Sequence, residues 1–435
     1  MGIPFYFASL IRSHKGLVHV VKERYNVNIL GIDGNCLIHR YLKPEEPVKS
    51  VLDAIEHITS EICIANKVLI AMDGLVPYAK IVQQRYRRMR VKEDTEEFDR
   101  NQISPGTPYM KELEAGIRSR FPHFVLSSTL EPGEGEHKLF HMMKGEDTNS
   151  VCIYGLDADL ILLCLARCEL TLPNRFFLLR ESAEFNDPKL KEAEFSMLSL
   201  WNLRKELGMD IEQYIALSIL CFGNDFVPNL GMFSLREDGY NRALHIYENA
   251  GNPNLLTFEG RDTFLQLAGN EELKVLKERI GLRKQPHEKA IFGKDGSNFS
   301  RKYRVHILDG VQDMKPVVDA FWKTFHWTLH YFTTNEVFDW NWVYPYTEAP
   351  LVQDILKYDE TTFDKQEPLS FTIGDQLSFI LPSKSLRLAK RRVVYPNELY
   401  TETREVWMKN HDWECEPRIS LPWNPSARLT EVFPL

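Results

Sequence analysis

Seven acidic residues fall where short apolar runs end or turn. Asn28–Ile32 runs into Asp33, Lys67–Met72 into Asp73, and Val151–Leu156 into Asp157, with Asp159 two residues on. In an extended segment residues i and i+2 point the same way, so Asp157 and Asp159 can reach one site. Glu134 and Glu136 repeat that spacing in Glu131-Pro-Gly-Glu-Gly-Glu-His-Lys, whose glycines permit a close approach just before a helix. Asp225 follows an apolar helical run in Cys221-Phe-Gly-Asn-Asp-Phe-Val-Pro. Carboxylates crowded on one edge repel each other unless cations neutralise them. Hard oxygen donors suit Mg²⁺ or Mn²⁺, and two such ions can clamp the attacking and leaving oxygens of a phosphodiester. Any single aspartate after a strand could be only a helix N-cap or a turn former. Three strand ends and two acid-x-acid pairs aimed at one edge favour a metal cluster over seven separate caps.

A second constellation follows Asp73 directly: Gly-Leu-Val-Pro-Tyr-Ala-Lys-Ile-Val-Gln-Gln-Arg-Tyr-Arg-Arg-Met-Arg. Pro77 suits a first helical position. On that helix Lys80, Gln84, Arg87 and Arg88 fall within an arc of about 100°. Such a face can make forked hydrogen bonds to a phosphate, and it begins beside the carboxylate edge. A solvated basic helix is the plain alternative. Gln84 argues against it, because it interrupts the charges yet shares their face.

These residues need a sheet edge to gather them. The first half alternates short β-branched runs with helical patterns: Val48–Ala65, Pro77–Val91, Pro108–Arg120, Glu136–Lys144 and Leu160–Arg167 lie between runs that end with Phe124–Ser127 and Phe176–Leu179. That order predicts a doubly wound, mostly parallel α/β sheet, in which ligands bind at the carboxyl ends of the strands. From Ser196 to Tyr247 the pattern turns helical. Three regions are expected: a catalytic region over 1–269, a polar connector over 270–312 containing Gly293, Gly296 and Asn298, and a second region over 313–435. The last opens with a helix to about Tyr331 and continues as irregular, aromatic- and Pro-rich structure packed on the first.

Of the 435 residues, 43% are hydrophobic and 26% charged, ordinary for a globular protein. With 53 Lys+Arg against 61 Asp+Glu the net charge is −8. This excludes a uniformly basic nucleic-acid coat and confines any nucleic-acid site to a local basic pocket. The cysteines show no CxxC pair or zinc spacing and read as buried thiols of a reducing compartment. That compartment is read as the cytoplasm. The nucleus stays open, because Lys390-Arg-Arg is too short to count as an import signal. No signal peptide, membrane span or lipidation signal is expected, since Tyr6 stands where myristoylation wants Ser or Thr.

Taken together, the segments resemble the Xrn family of 5′→3′ exoribonucleases. They include Met1-Gly-Ile-Pro, Asp33-Gly-Asn-Cys-Leu-Ile-His39, Met72-Asp-Gly-Leu-Val-Pro-Tyr-Ala-Lys80, Gln83-Gln-Arg-Tyr-Arg-Arg88 and Ile103-Ser-Pro-Gly-Thr107. Pro132-Gly-Glu-Gly-Glu-His-Lys138, Tyr154-Gly-Leu-Asp-Ala-Asp-Leu160 and Gly223-Asn-Asp-Phe-Val-Pro228 continue in the family's order. Asp339-Trp-Asn-Trp-Val-Tyr-Pro-Tyr346, Ala349-Pro350 and Leu381-Pro-Ser-Lys-Ser-Leu386 complete it. The resemblance implies a fold like that of PIN and flap nucleases. It implies processive hydrolysis of single-stranded RNA with a 5′-monophosphate to nucleoside 5′-monophosphates, as in mRNA decay. It implies two Mg²⁺ ions, with Mn²⁺ able to substitute. One ion is expected with Asp33, Asp73, Glu134 and Glu136, the other with Asp157, Asp159 and Asp225, Glu136 being placed to bridge them. Lys80, Gln84, Arg87 and Arg88 match the family's 5′-phosphate pocket. His39 matches a residue stacked on the first base, and a Trp of Trp340-Asn-Trp342, with Trp342 preferred, matches its partner. No membrane and no organic cofactor are implied, and protein partners stay open.

The chain also departs from the pattern. Only Val91–Gln102 stand where the family carries a longer projecting arm, so that arm is expected to be short or missing. The family's Tyr-rich run before the Trp motif is here Tyr331-Phe-Thr-Thr-Asn-Glu. Regulation through long C-terminal modules is not expected. Two rival readings remain: a structure-specific flap-type DNA nuclease, which would need a duplex-binding element, and a non-catalytic RNA-binding relative, which would be expected to have lost acidic ligands.

Overall fold

Successive residues of the central strands face two different cores. In β3 (Cys63–Ala71), Val68 and Ile70 face one core while Leu69 and Ala71 face the other. In β5 (Val151–Tyr154), Val151 and Ile153 face one and Cys152 and Tyr154 the other. A sheet apolar on both faces must be covered on both, which is the environment of parallel strands joined by helices. The computed structural model describes residues 2–3, 5–90, 98–185, 190, 193–283, 298–308, 310–346, 348–362, 368–389, 400–403 and 417–419.

The other strands of this sheet are β1 (Val18–Val20), β2 (Tyr25–Asp33), β4 (Val125–Ser127), β6 (Phe176–Glu181) and β7 (Phe195–Ser199). Their spatial order is β1-β7-β6-β5-β2-β3-β4. Pairings from β6 through β4 are parallel, whereas β7 and β1 add antiparallel pairs at one edge. The chain builds outward from β2 through β3 to β4, then returns to the far side of β2 for β5 and β6. The crevice beyond the ends of β2 and β5 is therefore the topological switch point, where such sheets bind ligands.

The helices of the first part are α1 (Tyr6–Ser13), α2 (Gly34–Tyr41), α3 (Pro47–His57), α4 (Tyr78–Arg90), α5 (Pro108–Arg120) and α6 (Gly135–Met142). They continue with α7 (Asp159–Leu165), α8 (Leu200–Leu207), α9 (Ile211–Phe222), α10 (Gly239–Asn249) and α11 (Phe258–Arg283). Three differ from the sequence expectation. The helix expected over Val48–Ala65 ends at His57 and passes through a wide turn, Ile58–Ile62, into β3. There Thr59 and Ser60 donate their hydroxyls back to Ile55 O and Glu56 O at 2.8 and 2.7 Å, which competes with regular helix. Residues 195–199, where helix was expected to begin, are strand β7, and α8 starts only at Leu200, where Ser199 Oγ accepts the Asn202 N–H. The polar connector is in part helix. α11 runs through residue 270 because Phe264, Leu265, Ala268, Val275 and Leu276 form a buried stripe. Its buried Glu272 accepts the N–H groups of Val352 and Gln353 at 2.8 and 3.2 Å. A further helix spans Phe299–His306, and Gly293 and Gly296 lie outside the described residues.

The second region shares the first region's core. Along the helix Lys315–Thr334, Phe321, Phe325, Trp327 and Tyr331 enter the same apolar cluster as Leu217 and Leu220 of α9. Trp327 is 1% exposed, meets Phe226 edge-on at 5.0 Å and donates its indole N–H to Asp339 O. The helix Ile373–Ile380, started by a Thr372/Asp375 capping box, packs on α4, where Arg85 lies over the Phe379 ring and donates to Phe379 O. No helix among the described residues is long and apolar enough to cross a membrane.

A common core makes the two regions one cooperative unit. Trp327→Ala should cost about 3–5 kcal/mol and lower the melting of both regions together. Calorimetry resolving two independent transitions, only one of them shifted, would contradict the shared core.

Candidate active site

β2 ends on Asp33, whose carboxylate caps α2 by accepting the N–H groups of Asn35 and Cys36 at 3.0 and 3.3 Å. Beyond the end of β3, Asp73 is cross-linked to β2 through Asn35. Asn35 Nδ2 donates to Asp73 Oδ2 at 3.1 Å, and the Asp73 N–H donates to Asn35 Oδ1 at 3.0 Å. Gly135 at the start of α6 donates its N–H to Asp73 Oδ1 at 2.7 Å. A Cβ on Gly135 would stand 2.9 Å from Ala71 O and 3.3 Å from Asp33 Oδ1, so the glycine lets this helix tip approach the end of β3 and the Asp33 carboxylate. Behind them Lys138 donates to Met72 O and Ser128 O at 2.7 and 2.6 Å, tying α6 to the chain leaving β3.

Asp225 comes from the far side. Asn224 Oδ1 accepts the N–H groups of Phe226 and Val227 at 2.8 and 3.0 Å, a tight turn that aims Asp225 back at the sheet edge. There α4 meets it. Lys80 Nζ lies 2.6 Å from Glu134 Oε2 and 3.0 Å from Asp225 Oδ2, and Arg87 Nη2 lies 3.0 Å from Asp225 Oδ1. Glu134 Oε1 accepts the hydroxyl of Tyr331, which stacks on His137 at 3.7 Å between centroids. The second region thus reaches the acidic cluster through the Tyr331 phenol.

Arg88 has a different environment. Its guanidinium donates to Asn101 Oδ1 at 3.2 Å and Ile103 O at 3.2 Å, both uncharged acceptors. The turn that supplies them is anchored by Asp99, which accepts Asn101 N at 3.0 Å, Ser385 Oγ at 2.8 Å and Arg387 Nη2 at 3.1 Å. Asp33, Asp73, Glu134, Glu136, Asp157, Lys80, Gln84, Arg87, Arg88 and His39 all line one cavity of about 790 Å³. Asp159 begins α7 and is buried, with Oδ1 lacking a hydrogen-bond partner among the described residues. Asp225 closes the cavity wall through Lys80 and Arg87.

The two sides of the expected stacking pair are placed differently. His39 lines the cavity, but neither tryptophan is among its lining residues. Trp342 donates its indole N–H to Thr324 Oγ1 at 3.1 Å, with Lys323 over its ring, and Trp340 meets Phe371 edge-on. Residues that sequence reasoning passed over include Asn35, Asn101, Arg100, Tyr331, Lys384 and Arg387. Lys384 lies inside the quoted Leu381–Leu386 motif, and Asn35 inside Asp33-Gly-Asn, so position flagged both while residue type assigned neither a task.

The electrostatics of the edge are strained. Burial, then the neighbouring Asp73, raises Asp33 to about 6. Burial, then Asp225, raises Asp159 to about 7. Burial raises Glu136 well above the usual carboxyl range. Burial also opposes ionisation of Asp225, but Arg87 and Lys80 outweigh it and hold its carboxyl far below the usual range. His39 is pushed down to about 4 by desolvation in the cleft and by Arg88, Arg100 and Arg87, so its ring is neutral at pH 7. Among the described residues no three acidic side chains close around one point as metal ligands in this arrangement. The donor set nevertheless fits hard cations: every donor is a carboxylate oxygen, and one, Asp159 Oδ1, is buried without a hydrogen-bond partner among the described residues.

Family models match along most of the chain. The model described as the XRN 5′-3′ exonuclease N-terminus matches residues 1–97 and 90–182, and the Xrn1 helical domain matches residues 277–390. The chain belongs to the Xrn family. The two N-terminal pieces meet at residues 90–97, where the shortened arm was expected, and residues 91–97 lie outside the described ones. The human 5′-3′ exoribonuclease 1 is 25% identical over an alignment covering 100% of this chain and 34% of the relative. The Saccharomyces cerevisiae 5′-3′ exoribonuclease 1 is 28% identical, covering 58% and 21%. The Candida glabrata 5′-3′ exoribonuclease 2 is 26% identical, covering 73% and 42%. The chain thus spans between a fifth and a half of the length of these relatives. Among solved structures, the catalytic core of Rad2 in complex with DNA substrate aligns at TM-score 0.38 and 15% identity, covering 89% of this chain and 98% of that one.

The raised carboxyls carry a pH signature. Asp33 and Asp159 bind protons more tightly folded than at their ordinary 3.8. Between pH 4 and 7 the folded state therefore holds more protons than the unfolded one, and these groups cost stability as pH rises. In chelator, Asp159→Asn should melt close to wild type at pH 4 and above it at pH 8. A constant difference across that range would show that Asp159 is not raised.

Proposed function

We propose that this chain is a processive 5′→3′ exoribonuclease that hydrolyses single-stranded RNA carrying a 5′-monophosphate and releases nucleoside 5′-monophosphates. One observation carries the reading. The cationic face of α4 lines the same cavity as the carboxylate edge, and Lys80 touches Glu134 and Asp225 while Arg88 keeps uncharged partners. A terminal phosphate held by α4 would put the next phosphodiester beside the acids. The names of the relatives support the same activity.

Asp33, Asp73, Glu134 and Glu136 would hold one Mg²⁺, and Asp157, Asp159 and Asp225 a second. When bound, these ions supply activation of a water and stabilisation of the leaving 3′ oxygen. The chain's own groups do the rest. Arg88 offers its unneutralised guanidinium to the phosphate, Gln84 a neutral contact, and Lys80 and Arg87 charge shared with Asp225. His39, neutral and open to the cleft, offers a ring face to the first base, since stacking accepts any base. No tryptophan partner is assigned to it. Each cut leaves a new 5′-monophosphate for the same pocket, which is how processivity arises.

Digestion of 5′-monophosphate, 5′-hydroxyl and 5′-triphosphate RNA, alongside flap DNA, tests the reading. Asp157→Ala and Glu136→Ala should abolish cleavage in Mg²⁺ while retaining binding of 5′-phosphorylated RNA. Near wild-type turnover by both would overturn the two-metal assignment. Arg88→Ala should slow decay of monophosphorylated RNA roughly ten- to hundredfold more than that of hydroxyl RNA, the worth of a charged hydrogen bond. Equal slowing would make α4 a general backbone contact.

A further inference from the structure

Gln376 is a fully buried polar side chain on the second region's helix Ile373–Ile380, 0% exposed, and the activity proposed above leaves it without a task. Its amide touches three groups. Oε1 accepts the Val76 N–H at 3.1 Å, and Nε2 donates to Gly74 O at 3.5 Å and to Gln84 Oε1 at 3.4 Å. An amide can be turned end for end, but the two backbone partners cannot. An N–H only donates and a carbonyl only accepts, so Val76 and Gly74 both fix Gln376 with its oxygen toward the former and its NH₂ toward the latter. That NH₂ can then meet Gln84 only through Gln84's oxygen. Gln84 lines the cleft, and with its oxygen committed at the back its own NH₂ is the end left for the cavity.

We propose that Gln376 is a positioning residue that sets the polarity of Gln84, so that Gln84 presents hydrogen-bond donors to the 5′-terminal phosphate. The inference rests on the reading of α4 as the phosphate-binding face. Its chemical sense is simple. A phosphate dianion has only acceptor oxygens, and a Gln84 turned the other way would set an oxygen against it. A glutamine is useful in a phosphate pocket only if something decides which way it faces. Here the decision is made by two backbone groups of the loop between β3 and α4 and relayed by a residue nearly three hundred positions away in the chain.

Gln376→Glu separates this from mere packing. A carboxylate can still accept from Val76 but cannot donate to Gln84. It recruits the Gln84 NH₂ instead and turns the Gln84 oxygen toward the cleft. The measurement is kcat and KM, in Mg²⁺, for single-stranded RNA of one sequence bearing 5′-monophosphate or 5′-hydroxyl. The proteins are wild type, Gln84→Leu, Gln376→Glu, Gln376→Met and the double variant Gln84→Leu/Gln376→Glu. Wild type should prefer the monophosphate, and Gln84→Leu should lose about tenfold of that preference, roughly the worth of one hydrogen bond to a charged group. Gln376→Glu should lose at least as much, through KM for the monophosphate, and should add nothing in the Gln84→Leu background. Gln376→Met, which neither donates nor accepts comparably, should lose less than Gln376→Glu and stands in if the buried carboxylate prevents folding. Wild-type preference in both Gln376 variants, with the preference lost in Gln84→Leu, would overturn the relay. Absence of any preference in wild type would overturn the phosphate pocket itself, and the relay with it.

Discussion

Like charges at one sheet edge are the constraint around which this molecule is arranged. β2, β3 and β5 deliver their carboxylates to a single crevice because parallel strands end together, and α6, α7 and the turn after α9 add more. Left alone, such a cluster would ionise only at the expense of the fold, and the raised Asp33, Asp159 and Glu136 show that tension. Lys80 relieves part of it by lying between Glu134 and Asp225. Burial opposes its charge, yet the surrounding acids outweigh that and keep the ammonium protonated. Lys80, proposed above as a phosphate ligand, therefore has a structural task as well. It is the internal counter-ion of the cluster, and any anion or cation that enters must renegotiate its contacts.

The second region follows from the same constraint. α4 has to carry cations to an acidic edge and still keep Arg88 and Gln84 available. Its apolar face, Tyr78, Ala79, Ile81 and Val82, is buried in the main core and sets its rotation. Polar contacts fasten it further: Arg85 to Phe379, and the loop before α4 to Gln376. Asp99, Ser385 and Arg387 hold the turn under Arg88, and Tyr331 holds Glu134. Each fastening runs to residues beyond 310, which is why the two regions share one core.

How much of this was legible in the sequence depends on how local the signal is. Asp33, Asp73, Asp157 and the α4 face follow from strand ends and helical spacing, both short-range patterns, and the structure sets them around one cavity. β7 was read as helix because its pairing is with β6, a tertiary fact that Phe195–Ser199 do not advertise. The connector looked polar because the buried stripe of α11 is interleaved with Glu, Lys and Arg, and because Glu272 spends its charge capping a segment eighty residues away. Gln376, Tyr331 and Asp99 were invisible for the same reason: each acts on a partner distant in sequence. The preference for Trp342 came from resemblance alone, and its indole hydrogen bond to Thr324 is a tertiary contact that no motif encodes.

The chain's net charge of −8 fits this arrangement. An enzyme with a broadly basic surface would hold nucleic acid everywhere and release it slowly. Here Lys80 and Arg87 pair with internal acids, whereas Arg88 donates its hydrogen bonds to neutral oxygens. Lys384 and Arg387 add positive charge at the rim, the latter shared with Asp99. The positive side chains of the cleft therefore line a cavity of about 790 Å³ that they share with the acids. The recognition of an end proposed above rests on this pocket, in which Lys80 and Arg87 are paired with acids and Arg88 with neutral oxygens.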